Sequence, residues 1–222
     1  MKAYGRILSL DTLPKDRQSL EELIQQLPFG KEEADRILSR KHLPSVTQSL
    51  AAHLALSHLL EEQKLTPGNI RRTSSGKPYF TESPSLPFSL SHAGSLAVAA
   101  IATDGTEIGV DLELFRPRRK TASLIARYFS PAQQRQWAES SDPDWEFLRL
   151  WTEKEAIAKC GGEGLAALLK QRNEAEYFLS TYTVRYGKEW GIVSLCAQVP
   201  ITQIQWFIDE KEITIHEIQN RA

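Results

Sequence analysis

Apolar and polar positions along the chain switch between a helical and an alternating period, and the switches mark its elements. Residues 3–10 form a short apolar stretch that predicts a strand. From Asp11 to Gln26 the apolar positions Leu20, Leu23, Ile24 and Leu27 fall on one helical stripe, which Pro28-Phe29-Gly30 stops. A second helix is expected over Glu32–Arg40, and a third from Ser45 to Glu62 with Val46, Leu50, Leu54, Ala55 and Leu59 on one side. The pattern then turns to short strands. Thr66-Pro67-Gly68-Asn69 reads as a turn, and Phe88, Leu90 and His92 alternate as a strand entering a polar turn. Ser95–Thr103 is small and apolar, as in a buried strand, and Asp104-Gly105 predicts a hairpin turn into a strand over Ile108–Glu113.

The second half repeats the mixture. Leu124, Ile125, Tyr128 and Phe129 predict a helix; Ser130-Pro131 opens another, with serine as cap and proline at the first helical position, and Ser140-Ser141-Asp142-Pro143 closes it. Trp145–Lys159 reads as a long helix that Phe147, Leu148, Leu150, Trp151, Ala156, Ile157 and Ala158 leave largely buried, ended by Gly161-Gly162-Glu163-Gly164. Strands are expected at Thr181–Tyr186, Gly191–Gln198 and Ile204–Asp209. Helices beside short strands in each half predict a two-lobed α+β chain with a boundary near Thr103–Ile108.

Composition narrows the function classes. Among 222 residues, 27 basic and 28 acidic side chains nearly cancel, so whole-chain charge nominates neither nucleic acid nor an anionic membrane as partner. Recognition of an anion must therefore be local. No apolar run approaches the roughly 18 residues of a membrane span, and the first residues lack a signal-peptide core, which points to the cytoplasm. Cys160 and Cys196 make neither a disulfide framework nor a zinc pattern and read as packing residues in a reducing compartment.

Candidate chemistry sits in two segments. Period-2 geometry puts Asp111 and Glu113 on one face of their strand, while Trp151, Glu155 and Lys159 follow at i, i+4 and i+8 on one face of the long helix. If the faces meet, three carboxylates and an ammonium converge. Oxygen-only ligands suit a hard cation such as Mg²⁺, which leaves positions for substrate phosphate, and phosphoryl transfer is the implied chemistry. Taken alone, Glu153-Lys154-Glu155 and Lys159 equally describe an ion-paired helix surface. Arg36, Arg40, Lys41 and His42 form a basic cluster that either holds a phosphate or is a solvated helix end. Ser74-Ser75-Gly76-Lys77-Pro78 combines close backbone approach with a point charge but is not a P-loop. Ser91-His92 is more readily a turn device than a nucleophile and its base. Arg116-Pro117-Arg118-Arg119-Lys120 is the densest positive patch and reads as a docking surface for an acidic partner, against a solvated turn.

In order and spacing, Ile108–Glu113, Phe129-Ser130 and Trp151-Thr152-Glu153-Lys154-Glu155-Ala156-Ile157-Ala158-Lys159 resemble the paired signatures of the 4′-phosphopantetheinyl transferases. Ser74–Pro78 and Phe88–Gly94 are similar to that family's upstream motifs, so about residues 30–170 carry the likeness. Length and motifs resemble the monomeric, double-length surfactin-type members, and in tone the accessory holo-acyl-carrier-protein synthases of enteric bacteria. The resemblance implies two similar lobes related by a pseudo-twofold, each a small antiparallel sheet packed against helices. Residues 1–105 would form the lobe for the adenylate side of coenzyme A, 106–222 that for the metal and the carrier, with the active site between them. It implies Mg²⁺-dependent transfer of phosphopantetheine from coenzyme A to a serine of an apo acyl or peptidyl carrier protein, releasing adenosine 3′,5′-bisphosphate. Asp111, Glu113 and Glu155 carry over as Mg²⁺ ligands, and Glu155 with Lys159 as the catalytic pair, Glu155 accepting the serine proton directly or through water. Arg36, Arg40, Lys41, Gly76, Lys77, Pro78, Ser91, His92 and Lys154 carry over as coenzyme A contacts. The acidic carrier would dock near Arg116, Arg118, Arg119 and Lys120.

The chain departs from the family pattern at Gln48 and His53, where arginines are expected; Arg36, Arg40 and Lys41 are the candidates to compensate. A Mg²⁺-dependent nuclease is the alternative enzyme, but its lysine is wanted two residues after the strand glutamate, where Phe115 stands. A degenerate fold kept as a carrier-binding module is the non-enzymatic alternative.

Overall fold

Two four-stranded sheets lie face to face, and a long helix covers the outer side of each. The computed structural model describes residues 1–117, 121–162, 176–208 and 210–218. In chain order they run β1 (Lys2–Ser9), α1 (Arg17–Gln25), α2 (Lys31–Leu38), α3 (Leu43–Glu62), β2 (Ile70–Arg72), β3 (Pro78–Phe80), β4 (Phe88–Ala93), β5 (Leu96–Ala102), β6 (Ile108–Leu114), α4 (Thr121–Tyr128), α5 (Pro131–Glu139), α6 (Pro143–Gly161), β7 (Phe178–Tyr186), β8 (Glu189–Ala197), β9 (Gln203–Ile208) and β10 (Ile213–Glu217). The first sheet has the order β4-β5-β1-β9, the second β10-β7-β8-β6, and β2 with β3 makes a small separate ribbon. Pairing is antiparallel throughout except between β1 and β9, which run parallel. The architecture is α+β, small and mainly antiparallel sheets on helices, as expected.

Alternation decides which side chains meet in the middle. Ala3, Ile7, Leu96, Val98 and Ala100 from the first sheet pack against Val110, Leu112, Val184, Val193 and Leu195 from the second. On the far face of the first sheet, Ala99 and Ile101 of β5 meet Ala55, Leu56 and Leu59 of α3. Both faces of β5 are therefore covered, which is why it reads as an unbroken run of small apolar residues. On the far face of the second sheet, Ala156, Ile157 and Cys160 of α6 pack with Cys196 of β8. Both cysteines are buried, as the packing role expected of them requires. Among the described residues no helix is long and apolar enough to cross a membrane.

Some local expectations are corrected. Asp104-Gly105 does not close a hairpin: β5 and β6 belong to different sheets. The turn itself is made, with Asp104 accepting from the Thr106 amide at 3.1 Å. But β6 finds its ladder partner in β8, and the turn carries the chain from one layer to the other. The first helix starts at Arg17 rather than Asp11, because the Asp16 carboxylate caps it by accepting the Ser19 amide at 2.9 Å. β10 was not foreseen; only Ile213 of its five residues is buried, too little alternation to announce a strand. The cap before α5 is as read, a capping box between Ser130 and Gln133.

Candidate active site

The site lies where the edge strands of the two sheets meet. β4 and β6 share no ladder; serines join them instead. Ser89 Oγ accepts from the Val110 amide at 2.9 Å, and Ser91 Oγ donates to Asp111 Oδ1 at 2.8 Å. Across β6, α6 lies against the strand backbone at Gly109, where a Cβ would sit 2.1 Å from the Ala156 carbonyl oxygen. That approach brings the Glu155–Lys159 face of the helix onto the Asp111–Glu113 face of the strand.

Asp111, Glu113 and Glu155 each offer one carboxylate oxygen, and the three oxygens lie within 4.8 Å of one another. Lys159 Nζ donates to Asp111 Oδ1 at 2.7 Å and to the Leu90 carbonyl at 3.3 Å. Asp111 is 2% exposed, and its Oδ2 is buried without a hydrogen-bond partner among the described residues. A buried carboxylate oxygen left unpaired is costly, and a hard cation held by three carboxylates would satisfy it. The donor set therefore fits Mg²⁺. Burial, then the charges of Asp111 and Glu113, push the Glu155 carboxyl up to about 7 against the opposing pull of Lys159. Three acids this close cannot all ionise freely without a cation.

These groups form one end of a cavity of about 450 Å³. Of the residues nominated from the sequence, Arg36, Arg40, Gly76, Lys77, Pro78, Ser91, His92, Asp111, Glu113, Glu155 and Lys159 all line it. Their side chains do not all face it in the expected way. The Lys77 ammonium is engaged by Glu107 and by the Cys160 carbonyl at 2.7 Å, so it caps the C-terminus of α6. His92 is pushed down to about 4 by burial and then by Lys159 and Arg40, which makes its ring neutral.

Two nominated residues do not line the cavity. Lys154 is one residue from Glu155 and so turned by about 100° around the helix; it is buried with its ammonium 5.3 Å from the centre of the Phe129 ring. Lys41 is exposed just beyond Arg40. Arg118, Arg119 and Lys120 lie outside the described residues, whereas Arg116 is 66% exposed and 3.8 Å from Glu189. Of the residues in the ion-paired-surface alternative, Glu153 binds Arg149, which also binds Glu146.

Glu33 and Arg72 were not foreseen and belong to the basic end of the cavity. Arg72 lines it, and Glu33 binds both Arg72 and Arg36. Arg72 stands two residues before the Ser74–Pro78 loop, the one sequence signal for it. Nothing in the pattern marked Glu33. His53, in the place of an expected arginine, is buried between the Ser49 carbonyl and Glu33. Gln48 stays off the cavity and donates to the Gly94 carbonyl at 3.2 Å.

Comparison with known proteins identifies the family. A model of the 4′-phosphopantetheinyl transferase superfamily matches residues 107–199, the span that holds Asp111, Glu113, Glu155 and Lys159. The 4′-phosphopantetheinyl transferase psf-1 of Bacillus pumilus is 26% identical over 191 residues, 83% of this chain and 76% of that protein. The 4′-phosphopantetheinyl transferase AcpT of Escherichia coli is 30% identical over 164 residues, 71% of this chain and 80% of that one. The chain belongs to the 4′-phosphopantetheinyl transferase superfamily. A further relative, the transferase HetI of a Nostoc species, is 38% identical over 110 residues, 46% of each protein. As a 4′-phosphopantetheinyl transferase the chain is an enzyme.

Proposed function

We propose that this transferase moves the 4′-phosphopantetheine arm of coenzyme A onto a serine of an apo acyl or peptidyl carrier protein, giving the holo carrier and adenosine 3′,5′-bisphosphate. The observation that carries the reading is one cavity with three carboxylates converging at one end and three arginines, Arg36, Arg40 and Arg72, lining the other. Coenzyme A presents a pyrophosphate and a separate terminal phosphate, which suit those two ends.

Asp111 through Oδ2, Glu113 and Glu155 would hold Mg²⁺, which supplies charge neutralisation to the pyrophosphate when bound. Lys159 has two of its three N–H groups on Asp111 and the Leu90 carbonyl and keeps a third for a phosphate oxygen. In the reaction the carrier serine Oγ forms a bond to the pantetheine-side phosphorus. The bond from that phosphorus to the bridging oxygen breaks, and the electron pair leaves with adenosine 3′,5′-bisphosphate. The serine proton passes to the Glu155 carboxylate, directly or through water. Most of the rate comes from positioning and from charge held in place, since no protein nucleophile is required.

The acidic carrier helix would approach near Arg116, at the C-terminal end of β6, with Arg118 to Lys120 following in the chain. Both ends of the site come from one chain, which supports a monomer with a nucleotide half over 1–105, a metal and carrier half over 106–222, and the site between them. Coenzyme A and carrier proteins are cytoplasmic partners, and we place the enzyme there. Incubation with coenzyme A, Mg²⁺ and a panel of apo carriers should add the mass of phosphopantetheine to at least one carrier serine. Intact mass unchanged on every carrier, with coenzyme A bound, would reduce the protein to a carrier-binding module.

A further inference from the structure

The basic end of the cavity is assembled around a carboxylate. Glu33, on α2, is 3% exposed. Its Oε1 accepts from Arg36 Nη2 at 2.6 Å, His53 Nε2 at 2.8 Å and Arg72 Nη2 at 2.9 Å. Its Oε2 accepts from Arg36 Nε at 2.8 Å and lies 3.5 Å from Arg72 Nε. Three elements, α2, α3 and β2, are thus tied to one side chain. Both ring nitrogens of His53 have oxygen neighbours, the second being the Ser49 carbonyl at 2.7 Å. Burial alone would oppose ionisation of Glu33. The hydrogen bonds from His53, Arg36 and Arg72 outweigh it and hold the carboxyl well below the usual range.

An anion site that only needed charge would do better without this glutamate, which cancels one positive charge. The geometry indicates what it contributes instead. Arg36 and Arg72 keep 31% and 29% of their side chains accessible and both line the cavity. Each guanidinium presents its Nε and Nη2 edge to Glu33, a fork that fixes its plane. Arg72 Nη1 also donates to the Gly76 carbonyl at 2.9 Å, so the same array holds the Ser74–Pro78 loop. Arg40 stands beside them with its Nε buried and unpartnered among the described residues, its pKa lowered by burial and by the charges of Arg36 and Arg72. Cations crowded in this way would swing apart into solvent unless something held them.

We propose that Glu33 is a positioning residue of the anion end: it holds Arg36, Arg72 and His53 in a fixed array around the terminal phosphate of coenzyme A, and so sets the preference for coenzyme A over its 3′-dephospho form. This rests on the function proposed above. It also accounts for His53, which is buried against Glu33 where an arginine was expected.

The test is Glu33→Gln, which keeps shape and burial, with Glu33→Asp as a second variant that keeps the charge but shortens its reach. KM and kcat are measured for coenzyme A and for 3′-dephospho-coenzyme A with saturating carrier and Mg²⁺. In Glu33→Gln the KM for coenzyme A should rise roughly tenfold, about 1.4 kcal/mol, as the forked pairs are lost. The kcat and the KM for the dephospho form should stay within about twofold. Glu33→Asp should fall between Glu33→Gln and the parent, and it reads the proposal if Glu33→Gln does not fold. An unchanged or lower KM for coenzyme A, or an equal rise for both donors, would overturn the proposal; an equal rise would mark a structural role alone. The two readings fail separately. If the parent enzyme modifies no carrier, calorimetry with adenosine 3′,5′-bisphosphate and with adenosine 5′-monophosphate still reports whether Glu33→Gln removes the preference for the 3′-phosphate.

Discussion

The two oxygens of Asp111 have different partners, and that difference sets what each neighbour contributes. Oδ1 takes Ser91 and Lys159, while Oδ2 is left for a cation. Ser91→Ala removes one of the two donors that orient the carboxylate, and Mn²⁺ titration followed by electron paramagnetic resonance should show affinity lower by roughly threefold to tenfold. Glu155→Gln removes a cation ligand and the proton acceptor together, and carrier modification should fall by at least about 100-fold with the fold intact. The Glu155 carboxyl, raised to about 7 without a cation, predicts a sign for the pH dependence. Below that value a proton competes for the ligand, so Mn²⁺ affinity should fall as pH drops from 7 to 6 and level off above about 8. Glu33 behaves oppositely. Its folded carboxyl is held low, so the stability it contributes is present above the unfolded value of about 4.3 and is lost as pH falls below it. Between pH 5 and 3 the parent's Tm should drop further than that of Glu33→Gln. At this scale Asp111, Glu113, Glu155 and Lys159 were legible because periodicity alone puts each pair on one face. Glu33 was not, since its meaning depends on α3 and β2 arriving at the same point.

At the scale of elements, the distance between β6 and α6 is set by Gly109. Its missing side chain lets the helix backbone rest on the strand, with the Ala156 carbonyl and the Cys160 amide where a Cβ would be. Gly109→Ala forces the two apart or strains both. A thermal melt should show destabilisation of about 1–3 kcal/mol, and cation affinity should fall because Glu155 retreats from Asp111. Lys77 acts on the same C-terminal turn of the helix through the Cys160 carbonyl. Long helices such as α3 and α6 were readable from their apolar positions, and α5 from its cap. Strand pairing was not readable at Asp104-Gly105, because the same turn serves a hairpin or a change of layer, and only the availability of β8 as partner for β6 decides between them.

For the whole molecule, the parallel pairing of β9 with β1 joins the end of the chain to its beginning, so the second half of the sequence completes the first sheet. Arg116, exposed beside the end of β6, tests the docking of the acidic partner. Arg116→Glu should raise the carrier KM several-fold and leave coenzyme A binding within twofold, as measured by modification kinetics against carrier concentration. By itself the sequence determined the helices, most of the strands, the carboxylate pair on β6 and the Glu155–Lys159 face of α6, because these follow from the 2.0 and 3.6 residue periods of single segments. It also carried the motifs that resemble the transferases. The tertiary structure decided which face met which: that Lys154 lies under Phe129 while its neighbour Glu155 meets Asp111, that Lys77 caps a helix, and that Glu33 gathers the arginines. Those outcomes depend on how separate elements pack, and a periodicity confined to one segment does not specify its partner.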